Sequence, residues 1–360
     1  MATLAESVRG RFPERISWIT VIFWAIGILA IVLIVLGSFK SIASGRLTGA
    51  RWRDLIVFGL AQGGIYGLIA LGYTMVYGIL GFINFAHGEV FTSGAMVGFF
   101  VARALDNAGL WDGQPALSLL ILLLVCMATS TIVAILVERI AYRPLRDAPR
   151  LIMLITSIGA SFFLQYTFRG LFGAGIKAYP RMDALEGFIN IFGVRILKSQ
   201  ALVIVAALVM MVGLYLFVER TKVGKSLRAV AEDKEIAALM GIDVDRTIVM
   251  TFAVGGAMAG AAALLYVLVF GQVYFLTGFF PGIKAFTAAV LGGIGNLVGA
   301  MFGGVVLGIL ESVGPSLVLA GFNIPAFTQL KDVVAFLALV LVLILRPTGL
   351  LGERLAEERA

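Results

Sequence analysis

Long apolar runs alternate along the chain with short polar connections. Residues 17–39, 55–80, 116–137, 151–172, 201–218 and 247–270 are each close to the roughly 20 apolar residues that span a bilayer. Residues 90–104 close a further span, residues 281–313 form a long Gly-rich stretch, and residues 333–345 end the apolar part. None of the runs shows the strict alternation of a half-buried strand. The pattern predicts an all-α, polytopic helical membrane protein with about eight to nine transmembrane helices. The nine prolines (Pro13, Pro115, Pro144, Pro149, Pro180, Pro281, Pro315, Pro325 and Pro347) sit at the ends of these runs or between them. Proline costs most inside a helix, so their placement supports the boundaries. Arg9, Arg11 and Arg15 precede the first run and Lys40 follows it. That run is longer than the core of a signal peptide and no small-residue cleavage site follows, so it is expected to be a transmembrane helix.

The connections set the orientation. Residues 138–150 carry Arg139, Arg143, Arg146 and Arg150, and residues 219–246 carry Arg220, Lys222, Lys225, Arg228, Lys234 and Arg246. Both are expected to face the cytoplasm, as are the Arg-rich N-terminus and the tail with Arg346, Arg354 and Arg359. Residues 173–200 then lie outside. Residues 40–54, with Lys40, Arg46, Arg51 and Arg53, also fall outside by counting, against the charge rule. A single crossing by residues 281–313 would leave the last helix facing the wrong way. Parity is restored if this stretch enters and returns, turning at Gly292, Gly293, Gly295 and Asn296. Residues 281–291 make about 16 Å of helix, roughly half a hydrocarbon core. Pro281 suits the first helical position and Asn296 an N-cap. Residues 80–84 (Leu-Gly-Phe-Ile-Asn) resemble residues 291–296 (Leu-Gly-Gly-Ile-Gly-Asn), and each precedes a helix rich in small residues. This is expected to be a pseudo-repeat of two halves with broken or re-entrant helices, a pattern that marks a transport pathway.

Composition narrows the class. Hydrophobic residues make up 60% and charged residues 14%, too few polar groups to cover a soluble globule. The net charge of +7 then reflects loop bias, not a polyanion ligand. A single cysteine, Cys126, excludes an intrachain disulfide, and a single histidine, His87, leaves little for a His-based metal site. The 43 glycines are unevenly placed, ten in residues 54–104 and nine in residues 282–314, which marks the two breaks.

Polar residues at membrane depth are the candidate chemistry. The Asn84–Glu89 segment, with His87, is expected either to line a solute path or to sit satisfied at the cytoplasmic interface. Gly292, Gly293, Gly295 and Asn296 are the second half of the candidate pathway. Lys284 and Glu311 are expected to snorkel to water from the outer ends of their helices. Gly224-Lys225-Ser226 imitates the end of a phosphate-binding loop, but position 219 is Glu and a membrane helix precedes it, so no ATPase site is expected. No acid, base or metal-ligand constellation argues for an enzyme. Residues 226–240 read as an amphipathic helix with Leu227, Val230, Ala231, Leu239 and Met240 on one face. Gly241 is the expected C′ stop and Asp245 the N-cap of the next membrane helix. Held between two membrane helices, this segment is expected to dock a cytoplasmic partner.

Several stretches resemble the LivH-type permease of branched-chain amino acid ABC importers. They are residues 59–72 (GLAQGGIYGLIALG), 76–89 (VYGILGFINFAHGE), 138–146 (ERIAYRPLR), 154–159, 224–233 (GKSLRAVAED), 239–242 and 284–295 (KAFTAAVLGGIG). The resemblance covers about residues 54–351. It implies a core at 54–351 with a coupling loop at 219–246, an N-terminal appendage at 1–53 and a cytoplasmic tail at 352–360. It also implies a LivM-like permease partner, two LivG/LivF-like ATPase subunits that bind the ATP, and a periplasmic substrate-binding protein, all at a bacterial inner membrane. This chain would bind no cofactor itself. Its coupling residues would be Arg228, Glu232, Asp233, Leu239, Met240 and Gly241. Permeases similar to these also serve urea, short amides and other amino acids, and a passive channel or secondary carrier is the alternative of a different class.

Overall fold

The computed structural model describes residues 18–45, 48–146, 148–191, 194–346 and 348–352. The three N-terminal arginines, Arg46 and the tail from residue 353 onward lie outside the described residues. The helices are α1 (Trp18–Ala43), α2 (Gly49–Leu80), α3 (His87–Asn107), α4 (Pro115–Val137), α5 (Arg150–Phe172) and α6 (Lys198–Arg220). Two short helices, α7 (Lys222–Glu232) and α8 (Lys234–Leu239), precede α9 (Val244–Phe270), α10 (Phe279–Gly292), α11 (Leu297–Gly314) and α12 (Lys331–Leu345). Eight helical stretches among the described residues are long and apolar enough to cross a membrane. The loop 173–200 adds what hydropathy did not foresee, two small antiparallel ribbons. One pairs β1 (Lys177–Ala178) with β4 (Gln272–Val273), and the other pairs β2 (Phe188–Ile191) with β3 (Val194–Leu197).

Burial sorts the helices. In α2, 72% of the most apolar window is buried within the chain, against 28% for α4, α5 and α6. So α2 is the central post and the other three turn apolar faces outward, as lipid requires. Glycine makes the centre possible. A Cβ at Gly304 would sit 2.4 Å from Gly67 Cα, and one at Gly308 would sit 2.3 Å from Gly63 Cα. The backbones of α2 and α11 therefore touch, with the start of α2 beside the end of α11, the small-residue packing that membrane helices favour.

The ends of the bundle agree with the parity count. Arg143 pairs with Asp245 at 2.8 Å, and Arg146 pairs with both Asp245 and Glu138. These pairs tie the two Arg-rich connections together at one end. Leu350 N–H donates to the Leu291 carbonyl and Leu351 N–H to that of Gly292, so the α10–α11 turn and the C-terminal segment share that end. Lys40 stacks over Phe322, and Ser312 Oγ donates to the Leu55 carbonyl, so residues 40–45 and 48–54 lie at the opposite end. Their positive charge is the exception to the charge rule that the count predicted. The N-terminal helix α1 seats Gly37 under the Val318 carbonyl and donates from Ser41 Oγ to the Ser316 carbonyl at 2.9 Å. It packs on the π-helical continuation of α11, Pro315–Leu319, and stands beside the core, not in it.

Candidate intramembrane cleft

The re-entrant hairpin forms where the chain predicts it, with one correction. Helix α10 starts at Phe279, so Pro281 is its third residue, not its first. Its 14 residues give about 21 Å of helix, too short to span. It stops at Gly293, whose φ of +110° favours glycine, and Asn296 Oδ1 caps α11 by accepting from Gly299 N–H at 2.9 Å. In the first half, α2 ends at Gly81 with φ +69°, and residues 82–86 climb back into the bundle before α3 begins at His87. His87 stacks edge-on against Tyr73 with ring centroids 4.9 Å apart, and its Nε2 lies where a Cβ on Gly72 would be. Gly72 is eight residues before the end of α2, so α3 starts about 12 Å inside the bundle.

The two broken segments converge. A Cβ at Gly278 would lie 1.9 Å from the Gly88 carbonyl oxygen and 2.2 Å from Thr92 Oγ1. Only glycine lets the start of α10 touch the first turn of α3. Beside this contact lies a cleft of about 270 Å³. Its polar lining is Glu89, Tyr73 and Ser161, its apolar lining is Phe85, Ile158, Phe162, Phe279 and Ile283, and Gly88, Gly278 and Gly282 form the narrow wall. Glu89 is 1% exposed. It accepts from Gln165 Nε2 at 2.8 Å, and Thr92 Oγ1 lies 3.2 Å away.

The other polar residues of this segment turn elsewhere. Asn84 Oδ1 accepts from Tyr142 O–H at 2.5 Å and from Ala86 N–H at 3.1 Å. It fastens the break to the last turn of the α4 continuation. His87 fills the notch between Gly72 and Gly255. Neither is wet at an interface, since each is 2% exposed. Gly292 and Gly293 pack on Gly299 and on Gly352, and Asn296 Nδ2 donates to the Leu351 carbonyl at 2.9 Å. Gly295 lines a second, smaller cleft of about 80 Å³ near the Arg-rich end, with Thr74, Thr251 and Arg228. Gln165, Ser161, Tyr73 and Tyr142 were missed as site residues. Gln165 had a signal, as a lone amide inside an apolar run.

Lys284 and Glu311 do not snorkel. Lys284 Nζ lies 2.7 Å from Glu311 Oε1 and 2.6 Å from Asp332 Oδ1. Gln62 Nε2 donates to Glu311 Oε1 at 2.9 Å, and Lys331 stands 3.6 Å from it. The pair is 4% and 2% exposed. Charges whose helices meet in the interior pair there, because the route to water is closed by neighbouring helices.

The connecting loop is two helices, not the one expected over residues 226–240. Asp233 breaks it, and its Oδ1 accepts from Glu235 N–H and Ile236 N–H to cap α8. Leu227 and Val230 are buried, but Leu239 and Met240 are 87% and 78% exposed, so the two sets do not share a face. Arg228 holds Glu219 at 2.7 Å, Glu232 is exposed, and Gly241 follows α8 with φ +83° as the expected stop. The N-cap of α9 is Asp243, not Asp245, which is taken up by Arg143 and Arg146.

Comparison with known proteins agrees with this geometry. Residues 55–343 match the family model described as the permease component of the branched-chain amino acid transport system. The chain is 44% identical over 305 residues to the high-affinity branched-chain amino acid transport system permease protein BraD of Pseudomonas aeruginosa, covering 83% of this chain and 95% of BraD. It is 41% identical over 298 residues to the permease protein LivH of Escherichia coli, covering 82% of this chain and 94% of LivH. A probable LivH of Methanocaldococcus jannaschii is 31% identical over 296 residues, covering 79% and 88%. With a multi-pass helical bundle, two broken helices meeting at an internal cleft and this match over most of its length, the chain belongs to the branched-chain amino acid transport permease family.

Proposed function

We propose that this chain is the permease subunit of an ATP-driven importer of branched-chain amino acids in a bacterial inner membrane. Its core, residues 54–351, forms the pathway together with a homologous LivM-like subunit. Two LivG/LivF-like ATPases bind the ATP, this chain binds no cofactor, and a periplasmic binding protein delivers the amino acid. Residues 1–53 and 352–360 are appendages to that core.

The observation that carries this reading is the cleft between the two broken helices. Half-helices that start inside the membrane leave backbone groups free to meet a solute without a full set of ion pairs. The walls are aromatic and aliphatic, which suits leucine, isoleucine or valine and offers little to urea or a short amide. In this reading the path passes Glu89 and then the smaller cleft at Gly295. Asn84 and His87 set the first break, and Gly292, Gly293 and Asn296 set the second.

The loop supports coupling to an ATPase. Ile236, Leu239 and Met240 form an exposed apolar tip at the Arg-rich end, beside exposed Glu232 and Asp233. An apolar tip with a charged rim suits a protein groove. Arg228 and Gly241 fix the two ends of the element, so a push on the tip reaches the second cleft, where Arg228 and Leu227 sit. The test is leucine uptake by proteoliposomes holding the chain with its partner subunits and the binding protein. Uptake that requires ATP is expected. Equal uptake without ATP, or by the chain alone, would make it a channel or carrier instead.

A further inference from the structure

Three glutamates are buried among the described residues, and they are partnered differently; Glu138, near the Arg-rich end, pairs with Arg146. Glu311 has Lys284 at 2.7 Å. Glu89, equally buried, has only neutral neighbours, Gln165 at 2.8 Å, Thr92 at 3.2 Å and the Ser161 hydroxyl, and none of the ion pairs among the described residues includes it. An acid inside a membrane is expensive unless a cation meets it. A carboxylate has about four acceptor positions, and the amide and two hydroxyls take three. Gln165 is itself steadied by Ser161 Oγ at 3.3 Å, so the acid is oriented and not merely tolerated. The face that remains lines the 270 Å³ cleft, whose other walls are Phe85, Phe162, Ile158 and Ile283.

We infer that Glu89 receives the α-ammonium group of the amino acid in transit, while the aromatic and aliphatic walls take its side chain. The ligand class is a primary ammonium zwitterion with an apolar side chain. Leucine is small enough to fit beside the acid, and its ammonium group supplies the positive charge that the protein does not. The start of α10 at Gly278–Phe279 borders the same cleft, where the helix dipole favours the carboxylate end of such a molecule. Both charges of the zwitterion thus have a counterpart in the lining of one cleft. This inference rests on the importer reading above, and it adds that the permease itself selects for an amino group after the binding protein has let go.

Two measurements decide it. In proteoliposomes with the partner subunits, Glu89→Gln is expected to lower ATP-dependent leucine uptake by at least about tenfold. The ATPase stimulation caused by the loaded binding protein should stay within about twofold, because docking and coupling are untouched. Glu89→Asp, which keeps the charge, should recover part of the uptake. Uptake by Glu89→Gln within about twofold of the unaltered protein overturns the inference. The second measurement needs no transport. A thiol is placed in the cleft by Ser161→Cys in the full chain in membrane vesicles, with the unaltered chain, whose Cys126 is buried, as the blank. With Glu89 present, the cationic reagent aminoethyl methanethiosulfonate should react faster than anionic sulfonatoethyl methanethiosulfonate, by at least about tenfold beyond their solution ratio. Adding Glu89→Gln should collapse that preference, and an unchanged preference overturns the inference. If the unaltered assembly takes up no leucine, the importer reading fails, while the labelling ratio still decides whether Glu89 attracts an ammonium group.

Discussion

Glu89 and Glu311 stand at comparable burial, each on a helix that follows a break, in the two halves of one bundle. They differ in what faces them. Glu311 looks across to α10 and finds Lys284, with Gln62 of α2 and Asp332 of α12 completing a network that joins four helices. Glu89 finds an amide, two hydroxyls and open space. The same residue type therefore serves two ends. Where the charge is balanced inside the protein, it holds the re-entrant hairpin against the central post. Where it is balanced by neutral donors and faces a cleft, it is left for a solute.

The largest effect should come from unbalancing the closed network. Lys284→Met leaves Glu311 with Gln62 and the more distant Lys331, and is expected to cost about 3–5 kcal/mol, seen as a large fall in melting temperature in detergent. The double variant Lys284→Met with Glu311→Leu should recover most of that loss. Glu89→Gln, by contrast, should melt within about 1 kcal/mol of the unaltered protein, since it keeps shape and neutral partners. If Glu89→Gln proved as damaging as Lys284→Met, the distinction between the two carboxylates would collapse.

Next in size is the contact that shapes the open side. Gly278→Ala puts a methyl group into the Gly88 carbonyl and Thr92 hydroxyl, and overpacking of this kind costs about 1–3 kcal/mol. Leucine uptake should fall more steeply than the amount of folded protein, because the start of α10 is pushed off the cleft. Tyr142→Phe removes the hydroxyl that holds Asn84, at a cost of about 0.5–1.5 kcal/mol. It should loosen the first break without touching the second, measurable as faster amide exchange confined to residues 81–88. The smallest global effect belongs to Asp233→Ala, which removes the cap of α8 for about 1 kcal/mol of local helix stability. Melting should barely move, but ATPase stimulation should drop, since the exposed tip carrying Leu239 and Met240 loses its fixed bearing.

Much of the architecture was legible in the chain. Hydropathy placed the spans within a few residues, and Gly292–Asn296 was recognisable as a turn because three glycines and an N-cap residue follow a half-length apolar run. Gly241 was recognisable as a stop for the same local reason. Two expectations fail, for different reasons. Periodicity carried through Asp233 sets Leu239 and Met240 on one face with Leu227 and Val230, but a single capping side chain resets the phase of a helix. Asp245, an acidic residue just before an apolar run, has the local character of a cap, but Arg143 and Arg146 take it up and Asp243 caps α9 instead.

By itself the sequence determined the membrane class, the approximate number of membrane spans and the two breaks. These depend on periodicity, composition and local backbone chemistry, which act over a few residues. It could not say that Lys284 and Glu311 meet, that Asn84 is taken by Tyr142, or that Glu89 meets Gln165 and a cleft. Those partners lie 27, 58 and 76 residues apart in the chain. Only the packing of helices brings them within reach, and in a medium without water the choice of partner decides whether a buried charge fastens the fold or waits for a ligand.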